Sequence, residues 1–149
     1  MGAKKTPTGG PSCFTIQPTL LILKDAMARS YFWTMSCLIL HQIDAAYWRE
    51  WEMFYLPGGV QGFLVFNLAA IAVLLAGYRQ VLLALPRARL YAGICAALGV
   101  ATFLIHAGFA LAGREQFHLP LSMAVIVLCL GCALWLLNDL RLQSGRPVA

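Results

Sequence analysis

The sequence predicts an all-α integral membrane protein, an antiparallel four-helix bundle with both termini in the cytoplasm, and three observations predict it. The 149-residue chain is 60% hydrophobic and only 11% charged, against the roughly 25% charge of a soluble domain. Four apolar stretches each approach the ~20 residues that cross a bilayer. Nine of the eleven Lys and Arg residues flank one side of those stretches. A mean hydropathy of +0.74 agrees, and four spans leave no room for a separate catalytic domain. The net charge of +5 sits beside apolar spans, so it is read as topology and nucleic acid is excluded as a partner.

Residues 1–29 read as a cytoplasmic tail. The polar start MGAKKTPTGGPS precedes the apolar run Leu20–Leu23, which is too short to span and is expected to lie along the interface as a short helix capped by Thr19. A secretory signal is a poor reading, because the first long apolar stretch follows Arg29 and carries no small-residue cleavage pattern. The M-G-A-K-K-T opening fits the loose myristoylation pattern, but one acyl group adds little to four spans.

The spans run over residues 30–48, 60–78 (with a possible extension to Leu85), 89–112 and 119–137, and together form a transmembrane domain at 30–137. Pro57-Gly58-Gly59, Arg79 to Pro86-Arg87 and Gly113 to Pro120 punctuate the connections. Residues 138–149 read as a second cytoplasmic tail. Lys4, Lys5, Lys24, Arg29, Arg79, Arg87, Arg89, Arg141 and Arg146 fall on one side, with only Arg49 and Arg114 opposite, which fixes both termini inside. The chain is therefore expected to be a multi-pass membrane protein. Tyr47, Trp48, Trp51, Phe54 and Tyr55 form an interfacial aromatic belt. The five cysteines, Cys13, Cys37, Cys95, Cys129 and Cys132, avoid both outer loops and suggest no disulfide framework.

Polar residues inside apolar spans are expensive and functional by default, which singles out His41, Asp44, Asn67 and His106. Counting from the span ends at ~1.5 Å per residue places His41, Asn67 and His106 roughly 10 Å inside the outer boundary, in one layer. His41 and Asp44 share a helix face with Thr34, Cys37 and Trp48, opposite Phe32, Ile39, Ile43 and Ala46. On the third span, Cys95, Gly99, Thr102, His106, Phe109 and Gly113 form a face of small and polar residues suited to close approach. A lone intramembrane histidine is as often an interhelical hydrogen bond as a site; two with a carboxylate and an amide at one depth point to a site. Glu52 and Glu115 read as solvated headgroup charges, and Arg114 and His118 lie across the bundle mouth.

The stretch His41-Gln-Ile-Asp44-Ala45 followed by Glu50-Trp51 resembles the H-E-x-D-A…E-W signature of a family of small, four-span bacterial membrane proteins of unknown function, and more loosely the HXXEE-motif membrane proteins. Ile105-His106-Ala107-Gly108, then Gln116-Phe117 and Ser122, resembles that family's junction between the third and fourth helices. The resemblance implies a site at His41, Asp44, Glu50, Trp51 and His106 and names no reaction. It also implies the inner membrane of a bacterial cell as the location. The chain departs from it at Gln42, where the family is usually acidic, and at Ala110, where it often has a second histidine that His118 would have to replace.

Four functions follow as expectations. In the first, His41, Asp44 and His106 supply the three ligands of a zinc or iron site, or Asp44 orients His41 as a general base, with Glu50 as a further catalytic group. Asn67, Trp51, Thr102 and Ser122 would support it. A site ~10 Å deep suits a lipid or other amphipathic substrate. The second is a b-type haem carrier with His41 and His106 as axial ligands, against which Asp44 argues. The third is a thiol redox enzyme using Cys129-Leu-Gly-Cys132, similar to the quinone-linked vitamin K epoxide reductase arrangement, but the outer loops lack the partner cysteines. The fourth is an accessory subunit, bound to a membrane protein partner or to copies of itself, whose polar layer only ties helices together. Reporter fusions are expected to place loops 49–59 and 113–119 outside the cell; an inside signal from either overturns the topology.

Overall fold

The computed structural model describes residues 18–113 and 119–144, and every regular element among them is helical. α1 runs over Pro18–Tyr47, α2 over Glu50–Met53, α3 over Gly59–Leu82, α4 over Ala88–Leu111 and α5 over Pro120–Ser144. Three of these, α3, α4 and α5, are long and apolar enough to cross a membrane. α1 has the length, at 30 residues or ~45 Å, but Lys24, Asp25, Arg29, His41, Gln42 and Asp44 hold it below that standard.

The boundaries differ from the sequence reading at two ends. α1 is continuous from Pro18, so the run expected to lie flat as a separate helix is part of the same helix as residues 30–47, and Thr19 sits inside the helix rather than capping it. Nothing between Leu20 and Arg29 breaks a helix, since Gly and Pro are absent there. α5 likewise continues through 138–144 to Ser144. The apolar pattern stops at Leu137 because Asn138, Asp139 and Arg141 are polar, but the helix continues with Asn138 and Arg141 exposed and Asp139 buried against Ser30 of α1.

α1 packs most closely on α5, α4 packs on α5, and α3 lies against both α4 and α1. α1 also touches α4, whereas α3 and α5 do not meet. The cross-section is a flattened rhombus with α1 and α4 across the short diagonal. Small residues permit this: at Gly99 an added Cβ would sit 2.8 Å from Ala133 Cβ and 3.4 Å from the Thr34 methyl. Tyr31, Met35, Leu38, Leu74, Val81, Ala92, Cys95, Ala96, Cys129 and Leu136 fill the core. Thr34 Oγ1 donates to its own helix at Ser30 O, 2.8 Å away, as hydroxyls in apolar helices do.

Outward faces carry Leu64, Val65, Leu68, Leu75, Leu90, Leu104, Leu111, Leu121 and Leu128, all exposed. So continuous an apolar surface is what contact with lipid requires and is a liability in water.

Turn chemistry separates the helices. α3 ends with Ala84 left-handed at φ 50°, with Leu85 N–H bonded to Gln80 O and Ala84 N–H to Val81 O. This is the Schellman pattern that satisfies the last carbonyls of a helix. Gly99→Ala is expected to lower stability by about 1–3 kcal/mol through overpacking. Gly131→Ala, whose Cβ would meet nothing within 4 Å, should leave it unchanged or raised. Thermal melts of the two variants in detergent check this.

Candidate functional site

α1 delivers His41 and α4 delivers His106 to the same spot across the short diagonal. Their rings meet edge to face with centroids 4.8 Å apart, and both are buried, at 4% and 7% exposure. The third member comes from α2. α1 ends at Tyr47, and Arg49 takes the left-handed conformation (φ 54°, ψ 42°) that reverses the chain. A non-glycine residue there costs about 1–2 kcal/mol. The reversal folds Glu50 back beneath the end of α1, where it is buried to 5% exposure.

Four contacts hold α2 in that position. Arg49 pairs with Glu52 on the exposed side, so that, two residues apart on one helical turn, Glu52 faces out and Glu50 in. Trp51 packs on Phe63 of α3 with ring centroids 5.2 Å apart, and Phe54 packs on Phe109 of α4 at 5.5 Å. α2 closes in a Schellman turn, with Leu56 N–H bonded to Trp51 O and Tyr55 N–H to Glu52 O and Tyr55 at φ 51°.

Glu50 Oε1 lies 3.2 Å from His106 Nε2. The other ring nitrogen, Nδ1, is 2.8 Å from Thr102 O. A carbonyl only accepts, so Nδ1 carries a hydrogen and donates it there, which fixes the ring's orientation. His41 Nδ1 is buried without a hydrogen-bond partner. One ligand atom from each of His41, Glu50 and His106 lies within 4.8 Å of the others, the grouping among the described residues with the composition of a metal site.

Asp44, expected from the sequence as the third ligand, stands beside this group rather than in it. Its Oδ1 accepts a hydrogen bond of 2.8 Å from Ser122 Oγ on α5, while Oδ2 is buried without a partner. The carboxylate that joins the two histidines is Glu50, because the chain reversal at Arg49 carries it inward and Ser122 draws Asp44 toward α5. Asn67 is buried but donates within α3 to Phe63 O at 2.9 Å; its Oδ1 has no partner. Thr102 contributes its carbonyl, and Trp51 lines a cavity beside the histidines. Arg114, Glu115 and His118 lie outside the described residues.

A haem between His41 and His106 does not fit. Two axial imidazoles held at ~2 Å from an iron place their ring centroids roughly 6 Å apart with the macrocycle between them. Here the rings touch, and Glu50 closes the gap. Cys37 Sγ and Cys132 Sγ approach to 4.0 Å with Cys95 and Cys129 buried nearby, and all four thiols are free. Cys132 therefore faces Cys37 of α1 rather than pairing with Cys129 in its own helix.

One buried polar pair escaped the sequence reading. Ser30 Oγ donates to Asp139 Oδ2 at 2.6 Å, joining α1 to α5, with Ser30 fully buried and Asp139 nearly so. The available signal was symmetry of depth: Ser30 opens the first span, and Asp139 falls just past the end of the last.

The chain belongs to a family of unknown function, DUF6713, which matches residues 27–143. No curated protein and no solved structure matches it. The matched segment contains the histidines, Glu50 and both Ser–Asp pairs, Ser30–Asp139 and Ser122–Asp44.

Asp44→Asn is expected to keep the bond from Ser122 and to hold or raise stability by relieving a buried carboxylate. Asp44→Ala strands the Ser122 hydroxyl and should cost about 1–3 kcal/mol. Neither should change the content of any metal held by the His41, Glu50 and His106 group; loss of metal in the Asn variant would make Asp44 a ligand after all.

Proposed function

We propose that this chain is a four-span membrane protein with both termini on its Lys- and Arg-rich side, and that His41, Glu50 and His106 hold a zinc or iron ion at a catalytic site in the outer half of the bundle. The observation that carries this reading is the pair of acceptors set against each other. With its hydrogen on Nδ1, a neutral His106 turns the Nε2 lone pair toward Glu50 Oε1 at 3.2 Å. Two lone pairs at that distance need a positive species between them, a proton or a metal ion. A proton satisfies only this pair. An ion also engages His41, which brings a third ligand atom into the group and has an unpartnered ring nitrogen.

The ligand chemistry fits. Tetrahedral ligands bound at about 2.0–2.1 Å lie roughly 3.3 Å from one another, the spacing of the His106 and Glu50 atoms, whereas the three-atom group spans 4.8 Å, so its third atom would have to close in for an ion to be held. Two histidines and one glutamate form one of the three-ligand sets of catalytic zinc, which leave a fourth position open. An ion held there supplies Lewis acidity to a group entering that position. The chain's own contribution is orientation: Thr102 O aims His106, and the Arg49 turn aims Glu50. If a proton lies between them instead, Glu50 and His106 form a buried acid–base pair on the same geometry.

An accessory-subunit role is supported by the Ser122–Asp44 and Ser30–Asp139 bonds, which tie α1 to α5 without any cofactor. The two readings part on metal content. Elemental analysis of protein purified without chelator is expected to find close to one zinc or iron per chain, an absorption spectrum separating the two metals. His41→Ala and Glu50→Gln should weaken binding by more than about a hundredfold, beyond the 10–100-fold typical of groups behind the ligands. Wild-type protein that carries no metal, and whose melting temperature does not rise in excess Zn²⁺ or Fe²⁺, would overturn the metal site and leave the acid–base pair and the accessory reading in place.

A further inference from the structure

His41, Glu50 and His106 form one wall of a cavity of about 290 Å³ between α1, α3 and α4, closed at its outer end by α2. Apart from Gln42 and Thr102 the remaining lining is hydrocarbon or aromatic. Leu38, Phe63 and Leu74 make the deep wall and are themselves buried. Phe66 of α3 and Leu98 and Ile105 of α4 line the same cavity yet are 53%, 40% and 45% exposed. The mouth therefore lies along α3 and α4, on a face that continues through Val73 of α3 and Ile94 of α4, both exposed and apolar. It opens sideways into the hydrocarbon layer that such a surface requires.

This arrangement selects its occupant. A hydrocarbon chain passes from lipid to the cavity with no loss of hydration, whereas a polar solute arriving by that route would first have to enter the hydrocarbon. The volume is at the low end of the ~300–1,000 Å³ typical of small-molecule pockets, which leaves room for one chain. The ionisable groups are gathered on one wall, so an oxygen-bearing headgroup is satisfied only against it. We infer that the cavity binds a single-chain amphiphile, a long-chain fatty acid or its ester, with the chain among Leu38, Phe63 and Leu74 and the head against His41, Glu50 and His106. This names the substrate class for the site proposed above and rests on the membrane reading, but chain binding needs no metal.

The test uses full-length protein in nanodiscs of saturated phosphatidylcholine, with fatty acids brominated near the carboxyl or near the methyl end as the probe. Trp51 lines the cavity beside Glu50 and serves as the reporter, and Trp51→Phe identifies its share of the emission. Saturable quenching of Trp51 is expected, stronger for bromine near the carboxyl end. Ala70→Phe and Ala101→Phe fill the cavity from α3 and α4 and should each weaken binding at least about tenfold, or about 1.4 kcal/mol, while keeping metal content. Either variant suffices if the other does not fold. Wild-type protein stripped of metal with a chelator should keep the quenching, so failure of the metal reading and of this one are distinguishable. Quenching that does not saturate, or that is identical in both filled variants, means the chain is only dissolved in the bilayer and overturns the proposal.

Discussion

A carboxylate turned into an apolar helix packing must find a positive or donating partner, and the contact between Glu50 and His106 is where this chain meets that constraint. Uncompensated, such a buried charge costs several kcal/mol. The surrounding structure is arranged to keep the contact: an unfavourable left-handed Arg49 reverses the chain, two aromatic pairs press α2 onto α3 and α4, and a backbone carbonyl on α4 fixes the imidazole. Strain in the backbone, absorbed by packing elsewhere, is a common property of functional positions. The alternative placement of Glu50, outward among headgroups beside Glu52, demands none of this.

Much of the helical layout was legible because apolar length is a long-range average. α3 and α4 fall within a few residues of their expected limits, and the depth count brought His41 and His106 together. What failed to show was anything that depends on which neighbour a polar residue finds. Asp44 and Glu50 both precede or follow the end of α1, and helical phase favours Asp44 since it shares a face with His41. Only the turn at Arg49 decides for Glu50, and one arginine at φ 54° has no sequence signal of its own. Asp139 was assigned to a tail for the same reason: its partner Ser30 is 109 positions away.

Membership of DUF6713 places the histidines and Glu50 within a shared segment but brings no activity with it. Function here has to be argued from the site. One backbone carbonyl, two imidazoles and one carboxylate set acceptors against each other at the edge of an apolar cavity. The polar pairs at Asp44 and Asp139 do different work, fastening α5 to α1 at two heights, while the Tyr31 hydroxyl donates to Leu74 O at 2.9 Å and ties α3 to α1.

The closest packing joins the first long helix to the last, and this orders events during synthesis. α1 is complete at Tyr47, but its fullest partner ends at Ser144, ~97 residues later. At roughly 5–20 residues per second of translation the first helix waits about 5–20 s, with Ser30 and Asp44 lacking their acceptor and donor. α2, α3 and α4 emerge in that interval, so the histidine and glutamate group assembles while one flank of α1 is still open. Arrival of α5 then seals that flank, supplying Ser122 and Asp139 together as the closing latch of a nascent chain.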